Sequence, residues 1–351
     1  MSWEIVGLGD FLTLKRGYDL PAQQRHDGEI PVVSSSGITG SHNEAKVAPP
    51  GVVTGRYGTL GEVFYIEQPF WPLNTSLYVK DFKGNNPRFI AYFLKWVLNG
   101  AQSDKAAVPG VNRNDLHARK VIATTDYAEQ QKIGDILSAY DDLIGNNRRR
   151  IQLLEQSARL LYKEWFVHLR FPGHEHVKII DGVPEGWERK KLGEITSLNY
   201  GKALKESDRE PGPFPVYGSS GIIGSHVKAL ISGPVIIVGR KGNVGSVFWS
   251  SEDCHPIDTV FYINRNLSSF FLYHALQNMT FISTDVAVPG LNRGLAQSHL
   301  LLLPEQRIFN LFEGIVTLIQ MQIDTLSKEI VVLSQARDLL LPRLMNGEVL
   351  V

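Results

Sequence analysis

The 351-residue chain has one cysteine, no excess of charge of either sign and no long uncharged apolar run. A single thiol, Cys254, excludes a disulfide within the chain, which agrees with a reducing compartment. Lysine and arginine total 36, and aspartate and glutamate also total 36. Because free-standing nucleic-acid binders usually carry a basic excess, this balance restricts any such contact to a local basic surface or to a surface shared with partners.

Signals for a membrane or for secretion are also missing. No apolar run reaches the length that spans a bilayer. The first residues lack the basic stretch followed by an apolar stretch that marks a secretory signal. We therefore expect a cytoplasmic protein without membrane contact.

Signatures of catalysis are absent as well. DNA-adenine methyltransferases hold their flipped base with an Asn/Asp-Pro-Pro-aromatic loop, and residues 86–89 (NPRF) depart from it. There is no GxxxxGK[ST] phosphate loop, and the glycine-rich segments lie between two predicted strands, unlike a dinucleotide fingerprint. The short segment His174-Glu175-His176 is a weak metal motif. We predict no catalytic residue, no metal and no cofactor.

The chain instead contains a long internal repeat. Residues 31–42 (PVVSSSGITGSH) and 215–226 (PVYGSSGIIGSH) share nine of twelve positions at an offset of 184. At the same offset, residues 55–61 (GRYGTLG) match residues 239–245 (GRKGNVG). A third pair, AVPGVNR and AVPGLNR, ends at Arg113 and Arg293. A unit of this length is a whole domain with its connector rather than a solenoid repeat.

Each copy has the pattern of a β-rich domain. Short apolar runs between Gly, Ser, Asn and Pro predict strands, and a helix follows them in both copies. The strands are predicted at 31–33, 51–54, 62–66 and 77–80, and then at 234–238, 247–249 and 260–263; the helices are predicted at 87–98 and 269–279. The predicted fold class is therefore α/β (α+β), with two pseudo-symmetric β-rich domains.

A long heptad helix follows each copy. Apolar residues recur in alternating steps of three and four, which is typical of a coiled-coil seam. The first seam comprises Leu137, Tyr140, Ile144, Asn147, Ile151, Leu154, Ala158, Leu161 and Trp165. The second comprises Phe312, Val316, Ile319, Ile323, Leu326, Ile330, Leu333, Arg337 and Leu340. Asp141 and Asp142 are predicted to lie on an exposed face. We predict that the two helices form an antiparallel coiled coil, although two helices packed on their own domains remain an alternative.

The order of domain, heptad helix, domain and heptad helix resembles the specificity subunit of type I restriction–modification systems. Residues 129–133 (EQQKI), 161–167 (LYKEWFV), 183–188 (VPEGWE) and 337–348 (RDLLLPRLMNGE) are similar to segments of that family. The resemblance covers essentially the whole chain. It implies two target-recognition domains, each of which reads one half of a split, asymmetric sequence in double-stranded DNA.

The same resemblance implies partners. The helices would form a spacer that docks two methyltransferase subunits and, for restriction, translocase–nuclease subunits. S-adenosylmethionine, ATP and magnesium would belong to those partners, so this chain would be a recognition subunit and not an enzyme. The corresponding domains are residues 1–128 and 185–303, with heptad helices at 129–170 and 304–351 and a linker at 171–184.

Candidate DNA contacts come from the repeated motifs. Arginine binds phosphate or guanine bidentately, and glycine lets a backbone approach a phosphate closely; a purely structural role for the same residues is the alternative. Positions that differ between the copies are the candidate base readers, because phosphate contacts carry no sequence information. The candidates are Arg56, Tyr57, Thr59, Asn112, Arg113, Arg240, Lys241, Asn243, Asn292 and Arg293. Asn114 against Gly294 and the dissimilar loops 23–29 and 205–212 are further differences.

Two other functions remain open from the sequence. One is a stand-alone DNA-binding protein without methyltransferase partners, for which the charge balance is unfavourable. The other is a coiled-coil scaffold that binds protein or glycan and not DNA. Salt-dependent binding to duplex DNA separates the three hypotheses.

Overall fold

The computed structural model describes residues 3–56, 61–99, 112–281 and 290–351. The chain divides into two compact units: unit 1 comprises residues 1–147 and 329–351, and unit 2 comprises residues 148–328. Each unit therefore contains one copy of the repeat and part of each long helix. The domain boundaries given above, which follow the ends of the helices, stay a prediction.

The globular part of unit 1 is built mainly from short strands. Its described elements are β1 (Trp3–Gly7), α1 (Leu8–Phe11), β2 (Thr13–Arg16), β3 (Ile30–Ser34), β4 (Gly37–His42), β5 (Gly51–Gly55), β6 (Val63–Ile66), β7 (Trp71–Pro72), β8 (Ser76–Asp81), α2 (Pro87–Asn99), α3 (Arg113–Ala118) and β9 (Lys120–Thr124). The strands form a four-stranded sheet β2-β8-β5-β6, a three-stranded sheet β4-β3-β7 and a pair β1-β9. The predicted strands and the predicted helix of the first copy are confirmed.

The two long helices are α4 (Tyr127–Tyr162) and α8 (Gln306–Met345). Unit 2 contains, between them, β10 (Ile179–Ile180), β11 (Val183–Pro184), β12 (Glu188–Lys191), α5 (Leu192–Ile195), β13 (Asn199–Tyr200), β14 (Phe214–Gly218), β15 (Gly221–His226), β16 (Val235–Gly239), β17 (Val247–Ser250), β18 (His255–Pro256), β19 (Val260–Ile263), α6 (Phe270–Asn278), α7 (Arg293–Gln297) and β20 (Leu300–Leu303). Its sheets β13-β19-β16-β17, β15-β14-β18 and β12-β20 repeat the strand orders of unit 1. The predicted α+β fold with two β-rich copies is confirmed.

The four-stranded sheet of unit 1 is buried on both faces. On β5, Val52 packs with α2 on one face, whereas Val53 packs with Phe70 on the other. Helix α2 begins with a proline, which lacks only an N–H that the first turn leaves unpaired. At helical spacing it turns Phe89 and Phe93 inward, and both are fully buried. Each such burial stabilises the fold by about 1.5–3 kcal/mol, so α2 is held against the sheet.

Segments of α4 and α8 pack against each other in unit 1. Asp141 pairs with Arg337, and Asn147 Nδ2 donates to Glu329 Oε2 over 3.0 Å. The later residue on α4, Asn147, is bonded to the earlier residue on α8, Glu329. These segments are therefore antiparallel. Asn147 is the polar member of the predicted seam, and its hydrogen bond offsets the cost of burying an amide.

Burial along both helices follows the predicted seam. Every seam position from Leu137 to Trp165 and from Phe312 to Leu340 is buried or half-buried. Many side chains between them, such as Leu318, are exposed, although Ser138 and Tyr162 are buried. The alternation of three and four thus identifies the inward face. A continuous coiled coil stays a prediction.

The expectation that Asp141 and Asp142 form an exposed face is wrong for Asp141. Besides the pair with Arg337, its carboxylate accepts a hydrogen bond from the Tyr92 hydroxyl over 2.6 Å. Burial, together with this carboxylate, raises the pKa of Tyr92. Asp142 is exposed, as expected. The partners of Asp141 come from two other helices, so periodicity on α4 does not reveal them.

We predict that His274 makes unit 2 sensitive to acid. This side chain is 4% exposed and lies beside the rings of Tyr162 and Phe312. Burial lowers its pKa from 6.5 to about 4. Between these values the unfolded chain binds a proton that the folded chain does not, so stability is lost as pH falls. The free energy of unfolding should decrease by about 3 kcal/mol in total.

Urea unfolding at pH 7.5 and pH 4.5 measures this decrease. His274→Phe is the matched variant, because Phe93 follows Phe89 on α2 as His274 follows Phe270 on α6, four residues later in each case. The variant should lose less stability at pH 4.5 than the parent protein. An equal decrease in both proteins would show that other groups cause the acid sensitivity.

Candidate nucleic-acid interface

The GRKGNVG segment forms the loop between the paired strands β16 and β17, as predicted. A Cβ on Gly239 would stand 2.2 Å from a carbonyl oxygen of the same loop, and Gly242 has a φ of +78°, where glycine is favoured. The backbone N–H groups of Arg240 and Lys241 both donate to the Thr259 carbonyl oxygen, over 2.9 and 3.0 Å. The glycines permit the turn, and the side chains of Arg240 and Lys241 extend from a backbone that these hydrogen bonds fix.

Three of the repeated motifs meet at this loop. The Ser219 carbonyl oxygen, in the Ser-Ser-Gly turn, accepts a hydrogen bond from the Ser246 hydroxyl over 2.6 Å. The Leu291 N–H, which precedes α7, donates to the Arg240 carbonyl oxygen over 2.8 Å. The turn, the cation loop and the segment before α7 therefore form one hydrogen-bonded assembly.

Two arginines of this assembly converge on one aromatic ring. The guanidinium carbons of Arg240 and Arg293 lie 5.0 and 5.2 Å from the centroid of the Tyr200 ring. Cations within about 6 Å of a ring face are attracted to it. Within the described ranges, neither guanidinium pairs with a carboxylate. The two arginines and Tyr200 line an open cavity of about 430 Å³, whose charge is therefore positive.

The two candidate asparagines cap short helices. Asn112 Oδ1 accepts the backbone N–H two residues ahead over 2.9 Å, and Asn292 Oδ1 accepts the one three residues ahead over 3.1 Å. Asparagine is among the preferred N-cap residues. These bonds occupy the side-chain oxygens, and they fix the backbone from which Arg113 and Arg293 emerge. A contact between DNA and either asparagine stays a prediction.

Arg56 and Arg240 have the same backbone setting in their two units. The Arg56 N–H donates to the Thr75 carbonyl oxygen over 3.0 Å, which is the counterpart of the bond from Arg240 to Thr259. Both arginines are half-buried. The first cation of the loop is thus presented alike by the two copies.

Arg113 and Arg293, in contrast, have different neighbours. The Arg113 guanidinium donates through Nη2 and Nε to Asn114 Oδ1, over 3.2 and 3.3 Å. Unit 2 has Gly294 at that position, and Arg293 lies against Tyr200 instead. Burial, and in second place the charge of Arg113, lower the pKa of His117. The shared arginine is therefore held differently in the two copies.

Tyr200 was not predicted from the sequence as a site residue. Its counterpart in unit 1 is Arg16, which pairs with Asp19 over 3.7 Å on the surface. The available signal was a difference between the copies at offset 184, Tyr200 against Arg16, which lies outside the repeated motifs. The ring becomes relevant only because β13 places it beside two motifs that are distant along the chain.

The remaining candidates are Lys241, Asn243, Tyr57, Thr59 and the two dissimilar loops. Lys241 and Asn243 are exposed on the loop of unit 2. Tyr57 and Thr59 lie outside the described residues. The dissimilar loops each contain a short 3-10 turn, and an arginine from each bonds to a carbonyl oxygen of its own hairpin.

Neither a metal site nor a membrane span is found in the described ranges. They contain no cluster of three or more His, Cys, Asp or Glu that could hold a metal ion. His174 and His176 lie 3.2 and 3.6 Å from the carboxylate of Glu175 between them. No helix there is long and apolar enough to cross a membrane.

Two units of the same strand order, each with a cation-bearing loop and a share of two long helices, define a duplicated α+β protein. The crystal structure of the type I restriction–modification system S subunit from M. genitalium has this fold. It superposes with a TM-score of 0.63 at 20% identity, over 98% of this chain and 96% of that one.

The sequence places the chain within a family. Residues 1–156 and 184–299 match the type I restriction modification DNA specificity domain, and the chain belongs to that family. The MjaIX specificity subunit of Methanocaldococcus jannaschii is 28% identical over 255 residues, which are 63% of this chain and 58% of that protein. The HindI specificity subunit of Haemophilus influenzae is 26% identical over 311 residues, with shares of 64% and 68%. The chain thus spans about three fifths to two thirds of these relatives.

Proposed function

We propose that this chain is the DNA sequence-specificity subunit of a type I restriction–modification system and reads a bipartite, asymmetric target. The main support is the duplicated cation loop: Arg56 and Arg240 leave the same backbone position in two units of one fold. Guanidinium groups bind phosphate and guanine bidentately. Two units that present the same arginine among different neighbouring residues are suited to a target whose two halves differ in sequence.

Residues shared by the two copies and residues that differ between them have different roles in this proposal. Arg56 and Arg240 contact phosphates, which position the protein without reading sequence. The differing residues beside them read bases: Tyr57 and Thr59 in the first copy, and Lys241 and Asn243 in the second. Arg113 and Arg293, carried on helices capped by Asn112 and Asn292, complete the two contact surfaces.

Catalysis belongs to partners in this proposal. The curated relatives are named as specificity subunits of type I restriction enzymes, and a subunit works with others. Two methyltransferase subunits and the translocase–nuclease subunits would assemble on the long helices, whose exposed leucines, such as Leu153, Leu160 and Leu318, offer apolar surface. S-adenosylmethionine, ATP and magnesium would bind to those subunits in the cytoplasm.

One experiment separates this proposal from its alternatives. Binding to duplex DNA is measured across a salt series, for the chain alone and with co-expressed methyltransferase subunits. Sequence-specific binding by the complex supports the proposal. Equally specific binding by the chain alone indicates a stand-alone DNA-binding protein, and no binding in either state indicates a protein scaffold.

Arg56→Ala and Arg240→Ala should each weaken DNA binding without unfolding the protein. Since each variant loses one phosphate contact, affinity should fall to a similar degree for the target and for unrelated duplexes. The slope of log K against log salt concentration should fall by about one. Titrations of the assembled complex at four salt concentrations measure both quantities.

Arg265→Ala is the matched control, because Arg265 is exposed in unit 2 but does not line the cavity at Tyr200. It should leave the slope unchanged. If Arg240→Ala lowered the melting temperature and kept the slope, the arginine would be structural and the proposed contact would be withdrawn.

A further inference from the structure

We propose that Tyr200 is a positioning residue that directs Arg293 to a guanine in the half-site read by unit 2. The inference rests on the proposed function and names the chemistry of one of its contacts. It assigns a role to a residue outside the repeated motifs. It also predicts that the two units read their half-sites in different ways, although they share the same arginines.

The Tyr200 ring is both anchored and accessible. It lies 5.0 Å from the Phe261 ring, at an interplanar angle of 57°, and the two residues pair across β13 and β19. Phe261 is fully buried, whereas Tyr200 is 52% exposed. The ring is therefore a platform that rests on Phe261 and is open to the guanidinium groups of Arg240 and Arg293.

Arg293 lies against this platform, and among the described residues it has no carboxylate or amide partner that would draw it away. In unit 1 the Asn114 amide oxygen holds the corresponding Arg113, but Gly294 has no side chain to do so. The Arg293 guanidinium carbon lies 5.2 Å from the ring centroid, and a guanidinium keeps its N–H groups in one plane. Its outer edge then presents two parallel donors, the geometry that binds guanine O6 and N7 together.

The comparison of the units favours a base contact over a phosphate contact for Arg293. Arg56 and Arg240 have matching backbone bonds, as expected for phosphate contacts that both units need. Arg113 and Arg293 are the same residue with different side-chain partners, so they are not expected to make the one contact common to both units that a phosphate contact would be. The base is guanine because it presents two adjacent acceptors in the major groove, whereas adenine presents one acceptor and one donor.

The cavity provides room for a base edge. Its volume is about 430 Å³, and Gly290 and Gly294 form part of its wall. Neither glycine carries a side chain that would block an approach from outside. None of the described residues that line the cavity is a carboxylate, so an acceptor edge meets favourable charge from Arg240, Lys241 and Arg293 there.

The first test compares Tyr200→Ala with Tyr200→Phe in the assembled complex. The alanine variant should lose affinity for the target duplex by roughly 10- to 100-fold, in the range of one bidentate base contact. Its affinity for unrelated DNA and its salt slope should not change. The phenylalanine variant keeps the ring and should bind like the parent complex.

The second test replaces each guanine of the target with 7-deazaguanine, which lacks the N7 acceptor. At one guanine of the half-site read by unit 2, the parent complex should lose about 10-fold in affinity. Tyr200→Ala and Arg293→Ala should show no further loss at that position. Replacements in the other half-site should affect the parent and both variants equally.

Gly294→Asn tests the inference without removing the ring. It supplies the amide that holds Arg113 in unit 1 and should draw Arg293 away from Tyr200. A Cβ at Gly294 would stand 3.3 Å from Asn292 Oδ1, the oxygen that caps α7, so this side chain must shift by a few tenths of an ångström; Gly294→Ala introduces the same Cβ and controls for that shift. The asparagine variant should lose the sensitivity to 7-deazaguanine, whereas Gly294→Ala, which adds no amide, should keep it.

Three results would overturn the inference. They are an equal loss on all duplexes in Tyr200→Ala, a 7-deazaguanine effect that persists in that variant, and a Tyr200→Phe complex as defective as Tyr200→Ala. The proposed function fails separately, if the parent complex has no sequence preference at all. If the parent complex reads a bipartite target and the Tyr200→Ala complex reads it equally well, the inference fails but the proposed function stands.

Discussion

Replacing unit 1 with that of a homologue of different specificity should change one half of the methylated sequence and leave the other half intact. The reason is that Arg56 and Arg113 lie in unit 1, whereas Arg240, Arg293 and Tyr200 lie in unit 2. Each set is positioned by contacts within its own unit. Sequencing of methylated bases in cells that express the chimera identifies both half-sites at once.

The structure decides where the exchange should be made. Leu341, Leu344 and Met345 of α8 share a buried cluster with Leu8 and Leu94, so residues 1–147 and 329–351 should be exchanged together. A second chimera that replaces residues 1–128 alone should give the same new half-site but a less stable protein. A change in both halves, or in neither, would contradict the assignment of one half-site to each unit.

Phe312→Ala should destabilise unit 2 by about 3–5 kcal/mol, the usual cost of removing a buried phenylalanine. Phe312 is fully buried, and its ring lies 6.1, 6.0 and 4.9 Å from the rings of Tyr162, Trp165 and Phe166. The cluster joins the end of α4 to the start of α8. Tryptophan fluorescence during urea unfolding measures the loss, since Trp165 belongs to the cluster.

Leu318→Ala on the same helix is the control. Leu318 is 62% exposed, and surface substitutions usually change stability by less than about 0.5 kcal/mol. A similar loss in both variants would mean that burial in the aromatic cluster does not determine the effect. A loss below about 1 kcal/mol in Phe312→Ala would show that the cluster repacks around the cavity.

The sequence predicted those features that depend on local pattern. Hydrophobic runs bounded by turn residues defined the strands on both sides of the GRKGNVG loop, because β16 is buried along its length and β17 is half-buried or buried throughout. Heptad spacing identified the inward face of α4 and α8, because burial on a helix follows its period. The internal repeat then transferred each of these predictions from one copy to the other.

Features that depend on distant partners were not predicted. Asp141 was placed on an exposed face because its partner Arg337 lies 196 positions away. Tyr200 received no role because nothing in its local sequence shows that Arg240 and Arg293, which lie 40 and 93 positions further along the chain, are beside it in the fold. Pairing of this kind is set by sheet topology, which periodicity does not determine.

Unit 1 is built from two separate stretches of the chain, and this has a consequence for its synthesis on the ribosome. Its core requires residues 329–351, and these are made only after all of unit 2, residues 148–328. At about 5–20 residues per second, the first part of unit 1 waits roughly 10–40 s for its last helix. During that time the surface around Leu8, Leu94 and Leu137, which α8 later covers, remains open to solvent or to a chaperone. The unit whose synthesis begins first is therefore completed last, and a chain released after residue 328 but before residue 351 would contain all of unit 2 and only part of unit 1.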